Sequence, residues 1–254
     1  MAVTIGATEA DRYQRAQLIG SDPRPMSLHI RNSRDSNTNS RVMYAHRDNG
    51  NFGLFFIEGV GGTPTMRLYD GAYASANSSA ITYDADTWYS FGWTWAADDS
   101  VGYFYNGAAQ GTATKTVSSG GTNCYIGGSS VGGSYCMAGR FADFAIWNVV
   151  LTASEWASLA AGYSPLLVRP QSLVSYVPGV TNTAQDLKIG SWTKNGTQSD
   201  YAHPRVFSKR RRMAFSPSAA AASYSSSFFR ENAGLGAAGA GPFARANAGL
   251  GAIA

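Results

Sequence analysis

Residues 88–95 show the clearest alternation of hydrophobic and polar positions in the chain. The aromatic positions are Tyr89, Phe91, Trp93 and Trp95, separated by Ser90, Gly92 and Thr94. A repeat of two residues is typical of a strand that buries one face. A second strand is predicted at 101–105, and Asn106-Gly107 after it favours a two-residue hairpin turn because both residues accept positive φ angles.

Short apolar or alternating segments recur along the chain, separated by clusters of Asn, Asp, Gly and Ser that are typical of turns. Further strands are predicted at 27–31, 41–47, 52–58, 65–70, 123–127, 140–149, 166–168, 173–177 and 192–196. A spacing of roughly ten residues per strand is typical of β-sandwiches and jelly rolls. The pattern therefore predicts an all-β fold made of two antiparallel sheets.

One short helix interrupts this pattern, at residues 152–161. Thr152 is followed three residues later by Glu155, which is the spacing of a capping box, and Gly162 provides a stop. The composition agrees with a mainly β protein, since 29 of the 254 residues are Gly and 13% are aromatic. No stretch is apolar enough to indicate a signal peptide or a membrane span.

Residues that carry catalytic chemistry are scarce. A retaining glycan hydrolase needs an acid/base and a nucleophile roughly 5 Å apart on one face, which predicts carboxylates at alternate positions of a strand. The only Glu so placed is Glu9, two residues before Asp11, and no aromatic strand surrounds this pair. Asp84 and Asp86 have the same spacing but precede the strand at 88–95, where they are predicted to be turn residues. We expect no catalytic residue and no enzyme activity.

Metal sites are also not indicated. His29, His46 and His203 lie far apart in sequence, and two cysteines, Cys124 and Cys136, are too few for a cysteine zinc site. The cysteines are predicted to be buried thiols, although their hairpin-like separation leaves pairing open. No cofactor is expected. Calcium is a weaker alternative, with Asp84/Asp86 or Asp98/Asp99 as oxygen donors, because Asp is favoured in turns for its own hydrogen bonds.

The aromatic residues at 89–95 share one strand face, so they are predicted to form core rather than a sugar-binding surface. Four other aromatic residues could serve as sugar contacts: Tyr69, Tyr73, Tyr83 and Trp192.

The last 49 residues have a different composition, which divides the chain into a domain at 1–205 and an arm at 206–254. The net charge of +4 comes from the arm, which holds six Lys or Arg and one Glu, whereas 1–205 holds 14 basic and 15 acidic residues. The arm is rich in Ala, Gly and Ser and has no sustained apolar period, as expected of an extended segment. It also contains one motif twice, at an offset of 15 residues.

The predicted partner-binding residues of the arm are its basic run and the repeated positions: Lys209, Arg210, Arg211, Arg212, Phe228, Arg230, Asn232, Leu235, Phe243, Arg245, Asn247 and Leu250. Four charges without interleaved aromatics give only a salt-sensitive, sequence-independent attraction to nucleic acid. The position of the run next to two copies of one motif instead favours contact with a protein partner, made as several small contacts together.

Residues 81–162 carry a family resemblance in five pieces. They are Trp88-Tyr89, Tyr105-Asn106-Gly107, Tyr125-Ile126-Gly127, the run from Gly139 to Asn148, and the helix start from Leu151 to Trp156. Together they resemble the laminin-G-like members of the concanavalin A-like lectin/glucanase superfamily. The resemblance implies a two-sheet antiparallel jelly-roll sandwich and extends more loosely to residue 205. Such domains serve as lectins, adhesion modules, glycanases and virus-particle proteins, so the fold alone does not select a function.

The segment from Ser164 to Pro170 and the His203-Pro204 pair are similar to segments of tailed-phage structural proteins. The leading hypothesis is therefore a non-enzymatic virion protein, most simply a capsid decoration protein anchored to neighbouring subunits by its C-terminal arm. The alternative is a lectin-like module that binds carbohydrate on a host receptor, and a glycan hydrolase comes third. The first hypothesis implies capsid or other virion proteins as partners, a multimeric assembly, and a location on the virion surface after synthesis in the host cytoplasm.

Overall fold

Two large antiparallel sheets account for most of the computed structural model, which describes residues 2–5, 12–16, 18–20, 22–35, 41–46, 53–118, 123–128, 136–137, 139–179, 185–196, 198–201 and 204. In chain order, the elements are β1 (Ala2–Ile5), β2 (Arg12–Ala16), β3 (Met26–Arg34), β4 (Arg41–Ala45), β5 (Leu54–Glu58), β6 (Thr65–Tyr69), β7 (Tyr89–Trp95), β8 (Ser100–Tyr105), β9 (Ala108–Thr114), β10 (Asn123–Ile126), β11 (Gly139–Trp147), α1 (Ala153–Ala160), β12 (Leu173–Val177), β13 (Gln185–Asp186), β14 (Gly190–Ser191), β15 (Thr193–Asn195) and β16 (Gln198–Tyr201).

The first sheet has eight strands in the order β16-β1-β11-β3-β7-β8-β9, with β12 also paired to β11. The second has six strands in the order β15-β2-β10-β4-β5-β6, and β13 and β14 form a small hairpin. This architecture confirms the predicted all-β, two-sheet antiparallel sandwich with one short helix. The predicted boundary at residue 205 and the arm after it lie outside the described residues.

Local sequence signals predicted several of these elements correctly. Thr152 and Glu155 form both halves of the capping box of α1. Asn106 and Gly107 join β8 to β9 with φ angles of 48° and 81°. Among the described residues, no helix is long and apolar enough to cross a bilayer.

Other predictions need correction. Residues 166–168 do not form a strand, because Ser164 caps a short 3-10 turn that starts at Pro165. The strand predicted at 192–196 is shorter in the structure and spans Thr193–Asn195. Trp192, which precedes it, is buried. Strands β1 and β2 were not predicted, since segments of four and five residues are too short to show a clear period.

The main core lies between the two sheets. Phe91, Trp93 and Trp95 of β7 are fully buried there, opposite Tyr44 and Phe55 of the second sheet. The rings of Phe55 and Trp93 meet edge to face at 6.1 Å. Burial of such large apolar side chains is the main favourable contribution to folding in a protein of this kind.

The opposite face of the first sheet is also covered, which the alternation in β7 did not predict. Helix α1 packs Trp156 and Leu159 against Trp147 and Tyr176 to form a second core. Trp156 comes so close to the sheet that a Cβ at position 92 would lie 2.4 Å from its ring. Gly92 is therefore required by this contact, and the small residues of β7 are buried like its aromatic ones.

An irregularity in β11 organises the first sheet. The strand pairs with β1 through residues 139–141 and with β12 through residues 144–147, and between these stretches its register with β3 shifts. Asp143 lies at this bulge with φ 50°. Its buried carboxylate accepts a hydrogen bond from the Tyr176 hydroxyl at 2.9 Å and lies 3.6 Å from Arg31 Nε. The bulge thus places the negative charge of Asp143 in the layer between the sheet and α1.

We predict that Asp143→Asn destabilises the protein by about 3 kcal/mol, because the change leaves the buried Arg31 charge without its carboxylate. Asn tolerates positive φ, so the variant tests the charge rather than the backbone. Asp86 is a matched control: it has φ 56° and pairs with Arg140 at 2.7 Å, but its side chain is 69% exposed. Asp86→Asn should cost less than about 1 kcal/mol. Urea unfolding measures both, and equal losses would contradict this role of Asp143.

Candidate functional site

The predicted partner-binding residues of the arm all lie outside the described residues. They are Lys209, Arg210, Arg211, Arg212, Phe228, Arg230, Asn232, Leu235, Phe243, Arg245, Asn247 and Leu250. Their role as contact residues stays a prediction. The described surface that is suited to binding lies instead on the sandwich.

The four aromatic residues proposed as sugar contacts have different environments. Tyr83 and Trp192 are buried in the core, so neither presents an open aromatic face at the surface, although Tyr83 borders the pocket described below. Tyr69 is half-buried, whereas Tyr73 is 52% exposed. Only Tyr73, with Tyr69 beside it, remains available at the surface.

Tyr73 is held in place on the outer face of the six-stranded sheet. The guanidinium carbon of Arg67 lies 4.7 Å from the centre of its ring, and the Tyr69 ring meets it edge to face at 5.1 Å. Arg67 Nε in turn lies 2.6 Å from a carboxylate oxygen of Glu58. We call these four residues, Glu58, Arg67, Tyr69 and Tyr73, the Tyr73 platform.

The chain segment 71–84 positions this platform. It follows β6 through backbone hydrogen bonds from Ala74 to Leu68 and from Ile81 to Pro64, both 2.9 Å. The same segment bonds to β9, the edge strand of the other sheet, where the Ser75 amide donates to the carbonyl of Thr114 at 3.0 Å. The segment therefore joins one edge of each sheet.

A pocket of about 390 Å³ opens where this segment meets the β5–β6 turn. It is lined by Arg34, Val60, Gly61, Gly62, Pro64, Ile81, Thr82, Tyr83 and Asp84. Its buried residues are apolar or aromatic, whereas the glycines, Thr82 and Asp84 are exposed. The turn depends on Gly59, which has φ 75° and whose Cβ would lie 2.7 Å from the carbonyl oxygen of Thr63.

Two opposite charges lie at this pocket. Arg34 is anchored by hydrogen bonds from Nε to the carbonyl of Tyr83, at 2.5 Å, and from Nη1 to the carbonyl of Asp35, at 3.0 Å. Asp84 accepts a hydrogen bond from the Tyr89 hydroxyl through Oδ2 at 3.2 Å. A fixed cation and a fixed anion together suit a ligand that both donates and accepts hydrogen bonds and carries no net charge.

Asp98 and Asp99, considered above as calcium ligands, have turn functions. Asp98 accepts hydrogen bonds from the backbone and hydroxyl of Ser100, and Asp99 pairs with Arg24 and accepts from Thr116. Within the described ranges, no three His, Cys, Asp or Glu side chains group in a way that could hold a metal ion.

Residues 22–157 match a family described as the concanavalin A-like lectin/glucanases superfamily. The chain belongs to this superfamily. No curated protein matches the sequence. Among solved structures, a candidate carbohydrate-binding protein from Bacteroides ovatus is similar, with a TM-score of 0.57 and 15% identity over 82% of this chain. The chain covers 63% of that protein, so it spans less than two thirds of its length.

Domain 4 of an extracellular arabinanase from Geobacillus stearothermophilus, solved with arabinotriose, is similar with a TM-score of 0.50 and 12% identity, covering 63% of this chain and 76% of that one. A heptameric pentraxin from Limulus polyphemus gives a TM-score of 0.49 at 19% identity, covering 63% and 81%. Similarity at these identities establishes the fold of this superfamily member and nothing more specific.

The two described glutamates of this lectin/glucanase-fold domain are both committed to arginines. Glu58 pairs with Arg67 in the Tyr73 platform, and Glu155 caps α1 while its other carboxylate oxygen lies 2.5 Å from Arg169 Nε.

A Ser, a His and an Asp do come together in the domain, which the sequence could not reveal because the three residues are distant along the chain. His29 lies 3.0 Å from the Ser90 hydroxyl through Nε2 and 3.0 Å from Asp143 through Nδ1. However, the Asp143 atom is its backbone carbonyl oxygen, which accepts from Nδ1–H, so Nε2 accepts from Ser90. The Asp143 carboxylate therefore does not contact the His29 ring through this bond, and all three residues are buried.

Both cysteines of the domain are buried thiols, as predicted. Burial raises the pKa of Cys124 to about 12, so that side chain is a neutral thiol at physiological pH.

We predict that His29 makes stability depend on pH. Burial, followed by the nearby positive charge of Arg31, lowers the pKa of His29 to about 3. Its pKa in the unfolded chain is about 6.5. The folded state thus resists protonation, so this contribution to stability is complete above the unfolded pKa and is lost as the pH falls from about 6.5 towards 3.

The wild-type protein should lose about 2 kcal/mol between pH 7 and pH 5 through this group. His29→Gln should be less stable at pH 7 but should lose less on acidification. Urea unfolding at both pH values measures the difference, and identical losses in the two proteins would show that His29 does not titrate in this way.

Proposed function

We propose that the domain at residues 1–205 is a non-enzymatic carbohydrate-binding module whose pocket holds a neutral sugar. The observation that carries the proposal is the pocket, which combines a buried apolar floor with a hydrogen-bonding rim. Sugars present the same combination, with apolar C–H faces and hydroxyl groups that both donate and accept. Sites for small molecules are usually concave with a few placed polar groups, and the accessible lining of this pocket is more polar than that of most, as a hydroxylated ligand requires.

The pocket assigns a role to each kind of lining residue. Asp84 accepts hydrogen bonds from sugar hydroxyls, and Arg34, held by its carbonyl contacts, donates to sugar oxygens. Gly61 and Gly62 have no side chains, so the ligand can approach their backbone. Membership of the lectin/glucanase superfamily supports this reading, as do similar folds in a candidate carbohydrate-binding protein and in a domain solved with arabinotriose. A host glycan is the natural partner under this proposal.

The absence of enzyme activity is part of the proposal. It is supported by Glu58 and Glu155, each held by an arginine, and by Asp84 and Asp86, of which Asp86 is paired with Arg140. Hydrolysis would need two of these carboxylates to act on one bond.

The test is binding of the purified full chain to an array of neutral, amino and acidic sugars that includes arabinotriose. We expect saturable binding to neutral members. Asp84→Asn should weaken it about ten-fold, because hydrogen bonds to a charged group are stronger than neutral ones. Asp98→Asn is the matched control, since Asp98 is an exposed turn aspartate outside the pocket, and should leave affinity unchanged. The proposal fails if no sugar binds, or if both variants bind as the wild type does.

A second function is favoured by the arm. Its positive charge and duplicated motif suit attachment to an assembly, which would make the protein a capsid decoration protein or other virion component of a tailed phage, displayed on the virion surface as many copies. The two functions are compatible, because an arm that anchors leaves the sandwich free to bind sugar.

Truncation after residue 205 tests the anchoring role. Wild-type protein should co-sediment with purified virions that carry it, and the truncated protein should remain in the supernatant while keeping the sugar affinity of the full chain. Equal co-sedimentation of the two proteins would remove the arm from the attachment mechanism.

A further inference from the structure

We infer that the pocket and the Tyr73 platform are two subsites for one extended ligand, so the module binds a neutral oligosaccharide in preference to a single sugar. This inference rests on the proposed function, and it names the class of ligand that the site takes. The pocket holds one sugar unit of the oligosaccharide, and Tyr73 stacks against another sugar unit.

The same two stretches of backbone build both subsites. The β5–β6 hairpin supplies Val60, Gly61, Gly62 and Pro64 to the pocket and most of the Tyr73 platform. Segment 71–84 supplies Tyr73 at its beginning and residues 81–84 of the pocket lining at its end. Because these stretches are hydrogen-bonded side by side, the separation of the subsites is fixed by regular structure rather than by a loose connection.

The separation suits more than one sugar ring. Thr65, which directly follows Pro64 of the pocket lining, lies on the outer face of β6 together with Arg67, which packs on Tyr73. The offset from residue 64 to residue 67 is about 10 Å at the rise of a β-strand. Thr65 is paired across the hairpin with Glu58 of the platform, and both residues are half-buried. A hydroxyl and a carboxylate at this point can bond to the middle of a hydroxylated chain.

Tyr73 is prepared for stacking. More than half of its surface is exposed, yet Arg67 and Tyr69 hold the ring in one position. A ring that is already fixed loses little conformational entropy when a ligand packs on it. Tyr163, which follows α1, is similarly exposed at 47% and lies outside both subsites, so it provides a matched control.

The experiment measures the affinity of the full-length protein for oligosaccharides of increasing length. The series runs from monosaccharide to tetrasaccharide for each neutral sugar on the array. Wild-type affinity should rise with length up to the member that reaches Tyr73. Tyr73→Ala should weaken binding of the longer members about ten-fold and leave the monosaccharide unchanged. Tyr73→Phe, which keeps the ring, should retain the length dependence, and Tyr163→Ala should match the wild type. Asp84→Asn should weaken every member.

The outcomes separate the two proposals. If no sugar binds, the proposed function and this inference both fail. If sugars bind but monosaccharides bind as tightly as their longer homologues, or if Tyr73→Ala weakens all lengths equally, only the two-subsite inference is overturned. Unfolding temperatures of Tyr73→Ala and Tyr73→Phe show whether either variant has lost its fold. If Tyr73→Ala has, the length dependence of the wild type decides, because equal affinity for all lengths overturns the inference.

Discussion

The bulge at Asp143 is the constraint on which the larger sheet depends. Strand β11 pairs with β3 along its length while it exchanges β1 for β12 on its other side, and the bulge lies between the two stretches where this exchange occurs. The bulge turns the Asp143 carboxylate towards Arg31 and Tyr176, and these contacts stabilise the irregular backbone. Arg31 also donates to the carbonyl of Leu159, so the same group of residues anchors α1.

Helix α1 covers one face of the larger sheet and so limits where a ligand can bind. With α1 and its core on that face, His29 and Ser90 are buried inside the domain. What remains for a ligand is the rim of the sandwich and the outer face of the smaller sheet, where the pocket and the Tyr73 platform lie. The shortage of Glu and His in the sequence agrees with the proposal that this surface binds sugar without reacting with it.

The parts of this structure that follow from local patterns could be predicted from sequence. The alternation at 89–95 and the Thr152/Glu155 pair each act over a few residues, and both predictions were confirmed. The candidate site could not be predicted in the same way, because Arg34, Gly61 and Asp84 meet only after three separate stretches fold together. Among four similar aromatics, exposure of Tyr73 and burial of Tyr83 depend on the path of segment 71–84, which carries no regular pattern.

That segment has a further consequence for the behaviour of the protein in solution. The free edges of antiparallel sheets are templates for strand addition by other chains, and natural β proteins protect them. Here, backbone bonds from Ala74, Ser78 and Ile81 occupy one side of β6, while those from Ser75 and Ser79 occupy carbonyls of β9. One irregular stretch of chain thus shields an edge of both sheets from self-association, and it does so with the same residues that shape the binding surface.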